Sequence, residues 1–166
     1  LMHDIGKPSV KYLKKGIGWT FHGHDDKGSK IFTKLARRMK WSIEIIDYVS
    51  KMIQLHHRPI SLAKESVTDS GVRRFLYEAK EQVDDLMLLC RADITTANKL
   101  KLKEYLKNFD KLSNYIIEVE EKDNLRNFKP PVTGLDIMSF FGIKQGKEVG
   151  EIKTRIVDAI INGEIN

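Results

Sequence analysis

Five histidines fall at positions 3, 22, 24, 56 and 57, and none follows in the rest of the 166-residue chain. His3 and Asp4 are adjacent in LMHDIGKP, at the end of an apolar helical turn that Gly6 breaks. His22 and His24 flank Gly23 ahead of the helical stretch KIFTKLARR, and His56 and His57 close the next helix before Arg58-Pro59. Asp93 ends a buried helical stretch in MLLCRAD. Each group stands at a helix end or inside a helix, roughly 20 to 40 residues from the next, so several helices can converge on one point. Imidazole with carboxylate suits divalent ions of the zinc, manganese, nickel, cobalt or iron type, whereas carboxylates alone would favour magnesium. Such an ion lowers the pKa of a water and polarises a phosphoryl oxygen, which is the chemistry of phosphoester hydrolysis. Asp4 can bridge two ions or hold one beside His3, and Lys7, one helical turn further on, is placed to meet a phosphate oxygen.

Taken singly, these residues have plainer readings. His57 at a helix C-terminus would complement the helix dipole, His22 is a turn residue beside Gly23, and Asp93 is a helix-end carboxylate. The joint pattern is what points to a metal.

The elements that must position these groups read as helices. From Lys30 to about Leu55, Ile31, Leu35 and Met39, then Ile45, Val49, Met52 and Ile53, recur at three- and four-residue spacing. That predicts two amphipathic helices joined at Trp41-Ser42, with Ser42 as N-cap of the second. A third is predicted from Val72 to about Leu89, and further helices from Lys99 to about Lys122 and from Val149 to Asn162. Strand alternation is weak, so the fold class expected is all-α. Pro130 and Pro131 in RNFKPPVTG mark a boundary. The expected organisation is a core domain over residues 1–98, a helical connector over 99–129 and a small glycine-punctuated tail module over 130–166.

Composition sets the remaining bounds. A hydrophobic content of 41% can bury a core, and no run approaches the roughly 18 apolar residues of a membrane span. Cys90 is the only cysteine, which excludes an internal disulfide or a thiolate metal cage. A soluble protein in a reducing, cytoplasmic setting is expected. The net charge is +6. Ten Lys or Arg lie between Lys7 and Lys40 against Asp25 and Asp26 alone, a patch that attracts phosphates, including a nucleic-acid backbone, although a solvated lysine-rich surface is the plainer account.

In their order and spacing, LMHDIGKP, FHGHDDKGSKI, QLHHRP and LCRAD resemble the HD-domain superfamily of helical, metal-dependent phosphohydrolases. More narrowly, VRRFLYEA, DDLMLLCRADITTAN and the tail PPVTGLDIMSFFGIKQGKEVGEIKTRIVDAIINGEIN resemble the body and tail of bacterial tRNA nucleotidyltransferase and poly(A) polymerase-like proteins that carry an HD domain. The resemblance implies His3, Asp4, His24, His56 and Asp93 as metal ligands, with His22 and His57 as alternate ligands or their supporting partners. The chain departs from the pattern in two respects. It has no counterpart of the superfamily's first histidine upstream of the His-Asp pair, and no nucleotidyltransferase head with its Gly-Ser loop and alternating aspartates. It is therefore expected to be a C-terminal piece of a longer protein.

The implied activity is hydrolysis of phosphomonoesters, cyclic nucleotides or RNA ends, dependent on a divalent transition metal with magnesium also admissible. Asp4 and Lys7 would be catalytic, and Lys7 or the basic face of Lys34, Arg37 and Arg38 would bind phosphate. A nucleotide or RNA, tRNA foremost, is the expected partner. The alternative is a tRNA-binding body and tail without hydrolase activity, and a regulatory HD domain acting on signalling nucleotides stands third.

Overall fold

The computed structural model describes residues 2–64, 68–123 and 125–165. Its helices are α1 (Lys7–Val10), α2 (His24–Arg38), α3 (Ile43–Leu55), α4 (Arg58–Lys64), α5 (Asp69–Ala79), α6 (Val83–Asp93), α7 (Lys99–Asp123), α8 (Gly134–Phe141) and α9 (Lys147–Ile161). Among the described residues the fold is all-α except for one antiparallel hairpin, β1 (Tyr12–Lys14) and β2 (Gly18–Thr20), with Leu13 opposite Trp19. Among the described residues no helix is long and apolar enough to cross a membrane.

Two corrections to the sequence reading have local causes. The single helix expected from Val72 to Leu89 is two, because the chain turns through a 3-10 segment in which Lys80 adopts φ 53°. The hairpin gives no alternation signal because its strands have three residues each and are mostly exposed; its turn passes through Gly16 at positive φ, and Gly18, also at positive φ, opens β2. The junction at Trp41-Ser42 holds, and the Ser42 hydroxyl accepts from the Ile45 N–H at 3.4 Å as the N-cap.

Among the described residues, two apolar clusters flank the histidines. The larger joins Leu55, Val72, Phe75, Leu76, Val83 and Leu86 to Leu112, Ile116 and Val119 of α7, so the helix expected as a connector shares the core of α5 and α6. The smaller is Phe32, Ala36, Ile46 and Ile53 between α2 and α3, with Ile5 and Val49 against it. The end of α3 contributes Ile53 to one cluster and Leu55 to the other, and the next residue is His56. A polar group is therefore held at the seam of two cores. The last two helices pack on each other, and α9 packs on α5, where Arg74 pairs with Asp158 at 2.9 Å. Thr133 and Asp136 close a capping box that starts α8.

Candidate metal centre

Two glycines set the approach of the His3-Asp4 turn to α2. A Cβ on Gly6 would lie 2.0 Å from the His24 carbonyl oxygen and 2.7 Å from the Gly28 N, so only a bare backbone seats this turn on the first turn of α2. Gly28 answers from the other side, with the Gly6 N 3.2 Å from where its own Cβ would stand. This contact brings residues 3 and 4 beside His24. The sequence reading took Gly6 as a helix breaker; its packing role depends on a partner 22 residues away.

His24 is buried on α2, and its Nδ1 donates to the Phe21 carbonyl at 2.9 Å. His56 is buried at the C-cap of α3, and its Nδ1 donates to the Ile53 carbonyl at 2.6 Å. A carbonyl only accepts, so each ring carries a proton on Nδ1, and the neutral form of either ring has its lone pair on Nε2. The two Nε2 atoms face each other at 3.3 Å. Oδ1 of Asp4 lies 3.5 Å from one and 3.9 Å from the other, and this buried oxygen has no hydrogen-bond partner. Three atoms able to donate electron pairs thus converge, and a positive charge placed among them, a metal ion or a proton on one ring, offsets their mutual repulsion. Adjacent ligands of a divalent ion with bonds of about 2.0–2.2 Å stand about 3.0–3.5 Å apart; the 3.3 and 3.5 Å separations match that spacing and the 3.9 Å one is longer.

The other oxygen of Asp4 serves a second group. Its Oδ2 accepts from the Lys7 ammonium at 2.6 Å and lies 3.5 Å from His3 Nε2, which is in turn 3.3 Å from Asp93 Oδ1. Asp93 closes α6, and one turn earlier the Cys90 thiol donates to the His56 carbonyl at 2.6 Å, tying α6 to the end of α3. Burial first, and Asp93 second, push that thiol up to about 12, so it acts as a neutral donor.

Electrostatics keeps the set ready for a cation. Burial alone would raise the Asp4 carboxyl, but the Lys7 hydrogen bond and the charges of His3, Lys7 and His24 outweigh it and hold it below the usual range. Burial drives His56 down to about 4, against the opposing bond to Ile53 and with help from the neighbouring imidazoles. Burial also lowers His57, as does His24 beside it. Both rings are neutral near pH 7 and keep their lone pairs.

The residues singled out in the sequence thus divide. His3, Asp4, His24, His56 and Asp93 meet, and Lys7 joins them. His57 comes closer than its helix-end reading implied, since its ring centroid is 4.3 Å from that of His56 and 4.7 Å from that of His24, and its ligand atoms group with theirs. His22 is exposed and outside the cluster. Lys34, Arg37 and Arg38 are exposed along the far end of α2, about 15–21 Å along the axis from His24. A cleft of about 260 Å³ opens beside the cluster, lined by Lys7, His57 and Asp93 at one side and by Lys64, Tyr105 and Asn108 at the other. Tyr105 and Asn108 carry no local signal, because α7 reaches the cleft only through tertiary packing.

Residues 1–98 match the HD domain family. Over 166 aligned residues, covering 99% of the chain, it is 25% identical to an A-adding tRNA nucleotidyltransferase of Deinococcus radiodurans, of which it covers 37%. It is 24% identical, over the same share of its length, to a CC-adding tRNA nucleotidyltransferase of Thermus thermophilus, of which it covers 36%. The chain therefore spans little more than a third of the curated relatives it matches. No solved structure matches it.

Proposed function

The chain belongs to the HD domain family, and from that premise we propose that it is a metal-dependent phosphohydrolase domain of a tRNA nucleotidyltransferase-like protein. The observation that carries the reading is the convergence of His24 Nε2, His56 Nε2 and Asp4 Oδ1. These three atoms would hold a divalent transition ion, with His3, Asp93 and His57 completing its surroundings or holding a second. Bound there, the ion supplies positive charge that acidifies a water and polarises a phosphoryl oxygen.

The protein's own groups do the rest. Asp4 stays anionic because Lys7 and the imidazoles favour its charged form. Lys7, on the cleft wall, orients a phosphate oxygen beside the carboxylate. His57, neutral and facing the cleft, can accept a proton from water at that end. The relatives' names concern nucleotide addition to tRNA, and on that ground the proposed substrates are phosphomonoesters, cyclic nucleotides or RNA ends.

The test is hydrolysis of a 2',3'-cyclic nucleotide and of nitrophenyl phosphate by protein loaded with manganese, nickel or cobalt. Turnover that disappears in Asp4→Ala is the expected result. A preparation that retains bound ion and turns over neither substrate would overturn the proposal.

A further inference from the structure

The hairpin is inserted between two of the converging residues, Asp4 and His24, and it combines cations with exposed rings. Residues 5–23 contain four lysines, Lys7, Lys11, Lys14 and Lys15, and no carboxylate. Tyr12, Leu13, Ile17 and Trp19 are between 57% and 68% exposed on the same short element. In the pairing register Leu13 lies opposite Trp19 on one face, while Tyr12 and Lys14 share the other. Lys11 places its ammonium 4.3 Å from the centroid of the Trp19 ring. The base of the hairpin is tied to the site, since the Phe21 carbonyl holds His24 Nδ1 and the Phe21 ring lies 5.9 Å from the Lys7 ammonium. His22, which the metal cluster does not use, is exposed at the same base.

We propose that this lysine and aromatic hairpin is a binding platform for single-stranded nucleic acid, stacking an unpaired base on Trp19 and running the phosphodiester backbone over Lys11, Lys14 and Lys15 toward Lys7. Charge complementarity selects the occupant: uninterrupted positive charge meets a polyanion, and flat exposed rings meet the faces of bases. A cationic aromatic loop could also meet an anionic membrane. Insertion there needs an apolar tip with the charges held back, whereas here Lys14 and Lys15 lead into the turn itself, Lys14 lies on the Tyr12 face and Lys11 covers the Trp19 ring. The platform would deliver a strand end to the cleft, and in that respect it rests on the phosphohydrolase reading.

The experiment measures fluorescence anisotropy of a labelled RNA octamer and of the DNA octamer of the same sequence, with the full chain kept in EDTA so that binding is read without turnover. Both single strands are expected to bind, and Trp19→Ala to weaken binding about tenfold. Replacing Lys11, Lys14 and Lys15 together by alanine is expected to reduce the slope of log affinity against log salt by about 2. Trp19→Ala should hydrolyse nitrophenyl phosphate as the unaltered protein does, while Asp4→Ala should lose hydrolysis and keep strand binding, so the two proposals fail separately. Unchanged affinity in both hairpin variants, with their helical circular dichroism intact, would overturn the platform. So would a duplex of the same sequence binding as tightly as the strands, or co-sedimentation with phosphatidylserine vesicles in place of oligonucleotide binding.

Discussion

The two ends of helix α2 carry the residues that looked most functional in the sequence, and they differ in what surrounds them. At the first turn His24 is 5% exposed, hydrogen-bonded through one nitrogen and facing a histidine and a carboxylate through the other. At the last turn Arg37 and Arg38, like Lys34 a turn before, lie in solvent on one face of the same helix. The difference is one of constraint. A group whose orientation is fixed by a second partner can hold an ion in place, whereas solvated cations attract anions without placing them.

The sharpest way to break this comparison is at Asp4, whose two oxygens face both halves of the cluster. Asp4→Ala is expected to lower hydrolysis about a thousandfold or more in a steady-state assay of the metal-loaded protein. Gly6→Ala attacks the seating of the turn that brings Asp4 to α2. A methyl there would stand 2.0 Å from a backbone carbonyl, so urea titration should show a loss of about 3 kcal/mol or more, together with weakened metal binding.

A third test uses pH on metal-free protein. His56 is almost fully buried and falls from its ordinary value of 6.5 to about 4 on folding. On acidification the unfolded chain therefore takes up its proton first. Stability from this residue is intact above about pH 6.5 and is lost as pH falls toward about 4, by about 3 kcal/mol in denaturant titrations, and His56→Gln should flatten that dependence. The smallest effect is expected at the other end of α2. Alanine at Lys34, Arg37 and Arg38 together should leave metal content unchanged and hydrolysis within about twofold; a loss as large as that of Asp4→Ala would erase the distinction between the two ends.

Much of this arrangement was legible in the sequence, for reasons the structure makes plain. Amphipathic spacing located α2 and α3, and the histidines and aspartates were visible because each stands where an element begins or ends. Spacing could not supply the pairing of Gly6 with Gly28, since each glycine alone reads as a turn or a weak point in a helix. Nor could it show that Tyr105 and Asn108 of α7 face the cleft, because the polar residues of a long amphipathic helix look alike until a neighbour covers some of them. Charge density was legible in a different sense: the run from Lys7 to Lys40 is one block in sequence, yet folding spreads it over the hairpin and the length of α2.

Elemental analysis of the purified protein after exposure to manganese, nickel, cobalt or zinc and removal of free ion tests the central claim most directly. Roughly one equivalent or more of bound transition metal is expected, lost in Asp4→Ala and in His24→Ala and kept when Lys34, Arg37 and Arg38 are alanine. Protein that takes up no ion from any of the four solutions, or that holds its ion equally well without Asp4 and His24, would contradict it.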